Sequence, residues 1–292
     1  MKKKEPENLW IDIDDVKIQY LLYESDGPTI IFMHATGFMP WIWHPIAAEL
    51  SNSFRVIAPY FCDHRDSEPN DGGLSWLVLA KDFANFCKIV AKDELVYLVG
   101  HSMGGTVITL AESLYGHLAK KMILIEPIFL PEAFYKIKIT VEQHPLASKS
   151  IKRKNFWNNR EEAIDYLKSK SLFKSWTDEA IELYIQYGMK EADGGGLELS
   201  CSPKKEASLF MGGSHYDPWP ELKKVKCPVL LVEGDISPNK AHIDLQKALN
   251  LFPNGAYTSI EEAGHLIPME KPLELTKVIL DFFYSDSLSY AK

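Results

Sequence analysis

Residues 95–107 read L-V-Y-L-V-G-H-S-M-G-G-T-V. Leu95–Val99 is a short apolar run of strand character, and Val107, Leu110, Ala111 and Leu114 then repeat at helical spacing. Between them stands G-H-S-M-G, Gly100–Gly104. A G-x-S-x-G joining a strand to a helix forms a nucleophile elbow. The turn holds the serine in a strained backbone conformation that only small neighbours permit, and Gly100 and Gly104 supply that space. The Ser102 hydroxyl then projects above the helix N-terminus, where free N–H groups stabilise an oxyanion. Ser102 is therefore the candidate nucleophile, and the flanking elements predict an α/β fold.

The rest of the chain extends that pattern. Leu9–Ile13 and Val16–Tyr23 read as strands with a tight turn at Asp14-Asp15. Thr29–Met33, Arg55–Ala58, Met122–Ile125, Val229–Val232 and Ala256–Ile260 are four- or five-residue apolar runs, as expected of strands buried on both faces. Helical patterns lie between them at Leu74–Ile89, Pro238–Leu251 and around Leu275, Val278, Ile279 and Phe282. Strands alternating with helices predict a mostly parallel sheet with right-handed crossovers. The alternation stops over 128–222, which holds helical patterns at Arg160–Lys170 and Thr177–Met189, a turn at Gly194-Gly195-Gly196, many aromatics and no convincing buried strand. It reads as a helical insertion, with the core formed by 1–127 and 223–292.

A serine hydroxyl needs a base, usually histidine. His265 follows the strand Ala256–Ile260 and precedes the last helix, as the chain order serine, acid, histidine requires. His101 lies in the elbow itself, where its side chain is expected to point away from Ser102; His34 is the other rival. Two carboxylates compete to orient the base. Glu126 ends the strand Met122–Ile125, and Asp235 follows Val229–Gly234. Either could stabilise an imidazolium.

Composition closes off other classes. Lys+Arg number 32 and Asp+Glu 40, a net charge of −8 that disfavours nucleic-acid binding. No apolar run is long enough to span a bilayer, and the N-terminal M-K-K-K has no apolar stretch behind it, so neither membrane insertion nor export is expected. The four cysteines, Cys62, Cys87, Cys201 and Cys227, lack paired spacing and read as buried free thiols of a cytoplasmic protein rather than a disulfide framework or a zinc site. The nine histidines show no metal-binding spacing, and no Gly-rich phosphate or dinucleotide loop occurs, so no metal or cofactor is expected. The expected partner is a small-molecule substrate; oligomeric state is left open.

Taken together, I-I-F-M-H-A-T-G-F, R-V-I-A-P, G-H-S-M-G-G, I-L-I-E-P-I, P-V-L-L-V-E-G-D and A-G-H-L-I-P resemble the α/β-hydrolase superfamily across nearly the whole chain, and within it a group of capped serine hydrolases. The resemblance implies an α/β-hydrolase fold with a helical cap inserted after strand 6. It implies an oxyanion hole from the N–H groups of Met103 and the Ala35-Thr36 stretch, although Ala35 stands where many members have glycine. The usual place for the acid, three residues past Gly234, is Ser237; other members carry it after the sixth strand, which favours Glu126. The segment P-Y-F-C-D-H-R-D-S, Pro59–Ser67, lacks the family's glycines. Ser102, where dehalogenases carry aspartate, argues against an alkyl-enzyme mechanism.

Phe38, Trp41 and Trp43 follow the oxyanion loop. Phe38 and Trp41 are candidate substrate contacts, since small-molecule pockets are commonly apolar and aromatic. The expected activity is hydrolysis of a small, largely apolar ester-like compound through an acyl-enzyme. Cleavage of a carbon–carbon bond or peracid formation could use the same residues, and a non-catalytic binding role on the same fold is the alternative of another class.

Overall fold

A computed structural model describes residues 4–62 and 64–285. Met1–Lys3 of the N-terminal reading and Asp63 of the Pro59–Ser67 segment lie outside the described residues. The strands are β1 (Glu7–Ile13), β2 (Val16–Tyr23), β3 (Thr29–Met33), β4 (Arg55–Pro59), β5 (Val96–His101), β6 (Ala119–Ile125), β7 (Met189–Glu191), β8 (Leu197–Leu199), β9 (Val229–Gly234) and β10 (Gly255–Ile260). Eight of them form one sheet in the order β1-β2-β4-β3-β5-β6-β9-β10. β1 and β2 pair antiparallel, as do β2 and β4; the remaining pairs are parallel.

Every residue of β5 and of β9 is buried, which explains their unbroken apolar runs. Alternate residues feed two cores. Ile30, Phe32, Val99, Ile123 and Leu230 face the helices His44–Leu50 and Pro272–Tyr284. Ile31, Met33, Leu98, Met122 and Leu231 face the helices Trp76–Val90 and Met103–Tyr115. The parallel strands therefore end together at one edge, where ligand sites of open α/β sheets lie.

The segment between β6 and β9 is mostly helical but joins both cores. Ala163, Leu167, Ala180 and Tyr184, from helices Arg160–Lys168 and Asp178–Gly188, pack into the first. Leu209, from helix Pro203–Gly212, packs into the second. The segment also holds a small hairpin, β7–β8, turned by Gly194, Gly195 and Gly196 at φ of 89°, 95° and 84°. Three-residue strands carry too little periodicity to be read beforehand. Pro238–Leu251, read as one helix, divides into a turn at Pro238–Ala241 and a helix at Leu245–Leu249; Asp244 caps the second, accepting from Lys247 N at 2.8 Å, and so starts a new helix there.

The reading of all four cysteines as free thiols is corrected. Cys62 and Cys201 form a disulfide across 139 residues, their Cα atoms 5.9 Å apart; Cys87 and Cys227 are free. No local spacing could announce the pair, because the fold alone brings the loop after β4 to the start of helix Pro203–Gly212. The free-thiol argument for a cytoplasmic setting falls with it. Hydrogen bonds strengthen the same junction. Ser67 and Ser208 hydroxyls are bonded, Leu74 N–H donates to Ser208 Oγ at 3.1 Å, and Trp76 Nε1–H to Leu209 O at 2.8 Å. The glycine-poor loop itself is braced by Arg65, whose Nε donates to Asp82 at 2.6 Å and whose Nη2 donates to Asp15 at 2.7 Å. Among the described residues no helix is long and apolar enough to cross a membrane.

Candidate active site

β5 runs into the elbow and helix Met103–Tyr115 begins one residue past Ser102. Ser102 has φ 56° and ψ −119°, a conformation costly for a residue with a side chain. Close packing enforces it. A Cβ on Gly100 would stand 2.6 Å from Gly104 C, and one on Gly104 would stand 2.3 Å from Met33 O. Ser102 N–H donates to Ile125 O at 2.9 Å, which ties the elbow to the end of β6.

His265 sits between β10 and the short helix Ile267–Glu270. Its Nε2 lies 3.1 Å from Ser102 Oγ. The Glu270 carboxylate accepts the N–H groups on either side, Gly264 at 2.5 Å and Leu266 at 3.3 Å, and so fixes the loop that presents the ring. His101 turns to the same loop: its Nε2–H donates to His265 O at 2.8 Å. Burial holds the His101 ring well below the ordinary histidine range, so it stays neutral. His34 is likewise neutral, its pKa pushed down by burial to about 4. Its Nδ1–H donates to Ala35 O at 2.8 Å and its Nε2 accepts Phe61 N–H at 2.9 Å, which pins the loop after β3.

The two carboxylates part company. Glu126, 2% exposed and at φ 49°, turns inward from the end of β6. Its Oε1 accepts Gly234 N–H at 2.8 Å; its Oε2 accepts the Ser237 hydroxyl at 2.8 Å and lies 3.1 Å from His265 Nδ1. Asp235 is exposed, and its Oδ1 accepts Ala263 N–H at 3.3 Å. The reading of Asp235 as an alternative acid is therefore corrected. It leaves β9 pointing into the turn before His265 and makes no bond to the ring.

Met103 opens its helix, so its N–H lacks an intrahelical acceptor. Ala35 and Thr36, both buried, follow β3, and Gly104 packs against the carbonyls of Met33 and His34 just before them. Gly37, at φ 77°, turns this loop so that Phe38 N–H donates to Ala35 O at 3.2 Å. Among the described residues no group of three His, Cys, Asp or Glu side chains could hold a metal ion.

The sequence pattern of the alpha/beta hydrolase family matches residues 30–278 of the chain. The chain belongs to that family. Among relatives, it is 24% identical over 262 residues to a 2-(acetamidomethylene)succinate hydrolase of Mesorhizobium japonicum, covering 89% of each chain. It is 23% identical over 263 residues to carboxylesterase YbfK of Bacillus subtilis, covering 88% of this chain and 81% of the relative. The crystal structure of E-2-(acetamidomethylene)succinate hydrolase superposes with a TM-score of 0.81 at 21% identity, over 96% of this chain and 100% of the other. The thioesterase domain from a curacin biosynthetic pathway superposes at 0.75 and 20% identity, over 94% and 99%.

In this α/β hydrolase the predicted aromatic contacts meet the segment inserted between β6 and β9. Trp41 stacks on Tyr187 with ring centroids 3.6 Å apart, and Phe38 packs against Trp176 and Tyr184 at 5.6 and 5.8 Å. Trp43 is fully buried against Phe32 and His101. Sequence reasoning missed three features. The Arg153–Glu206 ion pair, at 2.9 Å, brings a carboxylate against Gly37, where an added Cβ would stand 2.2 Å from Glu206 Oε1. Ser237 was noted only as a missing aspartate, yet it donates to Glu126. Asn239, whose Nδ2 lies 2.8 Å from His265 Nδ1, carried no signal beyond its nearness to that vacant acid position.

Proposed function

We propose that the chain is a serine hydrolase acting on a small, largely apolar ester-like substrate. The observation that carries this reading is the unbroken line Ser102 Oγ, His265 Nε2, His265 Nδ1, Glu126 Oε2, with both contacts at 3.1 Å and Ser102 held at positive φ. Ser102 attacks the carbonyl carbon while His265 Nε2 takes its proton. The developing oxyanion accepts the N–H of Met103 and one from Ala35 or Thr36. Glu126 accepts Nδ1–H and stabilises the imidazolium. Nε2–H then protonates the leaving group, and a water activated by the same nitrogen releases the acid from Ser102.

Residues 128–222 act as a cap over this site, and Phe38 and Trp41 as walls shared with it. Ser102 is only 7% exposed, which suits a small substrate. A carboxylesterase among the relatives supports acyl chemistry. The test is a fluorophosphonate probe with a panel of p-nitrophenyl esters. Wild-type protein is expected to gain one phosphonyl group and to hydrolyse short esters; Ser102→Ala is expected to do neither. Equal labelling of both proteins would refute the proposal.

A further inference from the structure

Two groups contend for one ring nitrogen. His265 Nδ1 lies 3.1 Å from Glu126 Oε2 and 2.8 Å from the Asn239 amide, with Nδ2 on the facing side. An amide N–H can donate only to a bare Nδ1, whereas a carboxylate can only accept from Nδ1–H. With Nδ1 bare, a buried carboxylate lone pair would face a nitrogen lone pair, and the proton would sit on Nε2, where it blocks proton transfer from Ser102. A half-turn about the Asn239 Cβ–Cγ bond exchanges the amide nitrogen and oxygen in nearly the same space. We infer that Asn239 presents Oδ1 to His265 Nδ1–H, sharing that proton with Glu126, and is a positioning residue that selects the tautomer in which Nε2 faces Ser102 bare.

The backbone around Asn239 is built to hold it there. Its N–H donates to Ser237 Oγ at 3.3 Å, and its carbonyl accepts His242 N–H at 2.9 Å and Ile243 N–H at 2.8 Å. Ser237 thus connects both acceptors of the ring proton, since its hydroxyl donates to Glu126. The loop after β9 contributes a neutral acceptor, while the charge comes from β6. The other groups around the ring are accounted for. His101, ring centroids 5.1 Å away, is neutral; Glu270 is taken up by backbone N–H groups, and Asp235 by Ala263.

This inference rests on the serine-hydrolase reading, and the test separates the two. The rate at which a fluorophosphonate labels the full chain is measured from pH 5 to 9 for wild type, Asn239→Leu and Asn239→Asp. Thermal melts verify folding, and ¹⁵N shifts of labelled histidine report the His265 tautomer. The Leu variant, similar in volume, is expected to label about tenfold more slowly. Its acidic limb is expected to move to lower pH, and part of its His265 signal to become Nε2–H. The Asp variant should keep the Nδ1–H tautomer and move the limb to higher pH. Faster labelling or more Nδ1–H in Asn239→Leu would mean that the amide donates, and would overturn the inference. Unchanged rate, limb and tautomer would overturn it too. In either case Ser102 labelling would remain intact, leaving the hydrolase reading untouched. Absence of labelling in the wild type would instead defeat that reading, and the ¹⁵N spectra would still decide the role of Asn239.

Discussion

β6 and β9 run side by side in parallel, Ile125 paired with Val232, and each strand is followed at once by an acidic residue. Glu126 and Asp235 look equivalent in the sequence, yet one is buried against His265 and the other lies in solvent. The difference comes from the backbone just past each strand. Glu126 N–H still bonds Val232 O at 2.8 Å, and its positive φ folds the side chain inward onto the N–H of Gly234 and the hydroxyl of Ser237. Asp235 N–H bonds Ile260 O at 3.0 Å, which continues the sheet toward β10 and leaves its carboxylate outside. Of the two strand-end carboxylates, the one that reaches the His265 ring is the one received by preformed donors. Here the donors belong to the neighbouring strand's exit.

The strongest test of that contrast is a pair of substitutions. Glu126→Gln is expected to lower kcat on an ester substrate by about 10³–10⁴-fold, because the amide no longer favours Nδ1–H. Asp235→Asn should change it less than about twofold. Equal losses would break the comparison.

The ends of β3 and β5 carry histidines instead of acids, and they predict a stability effect. His34 is held to about 4 in the fold against an ordinary 6.5, so the unfolded chain binds the extra proton between those values. Stability is therefore complete above pH 6.5 and falls as the pH drops toward 4, by about 3 kcal/mol for this ring. Denaturant melts at pH 7 and 4.5 would show it, and a flat profile would mean the ring is not kept neutral.

The loop after β4 is also held covalently, by the Cys62–Cys201 disulfide. Cys201→Ser is expected to cost about 2 kcal/mol or more in unfolding free energy, and a reductant should do the same to the wild type but not to the variant. Ser237→Ala is expected to cost far less than Glu126→Gln, about a tenfold fall in kcat from losing one hydrogen bond to a charged group. Adding Ser237→Asp to Glu126→Gln sharpens the contrast: recovery of part of the lost rate would show that the exit of β9 can also carry the acid.

The sheet could be read from the sequence because burial on both faces writes itself as short apolar runs, and the elbow because Gly100, Ser102 and Gly104 are neighbours in the chain. His265 was picked out by its order after the last strand, and the fold brings its ring within 3.1 Å of Ser102 Oγ. Helix Pro203–Gly212 was not, since its buried residues are divided between a loop more than a hundred residues away, met by Ser208 and Leu209, and Val141 and Ala147, met by Ala207 and Met211. Asn239 was invisible for a similar reason: a single amide has no pattern, and its meaning depends on a ring 26 positions later.

What the amino-acid order determined by itself is the set of local elements and the strained serine, because strand period, helix period and glycine turns act over a few residues. Only the tertiary structure decided which carboxylate reaches the His265 ring, that Cys62 meets Cys201, and that the Asn239 amide lies against the same ring nitrogen. Those contacts join residues 26 to 139 positions apart. Such pairings are set by how strands stack in the sheet and by where their exits turn.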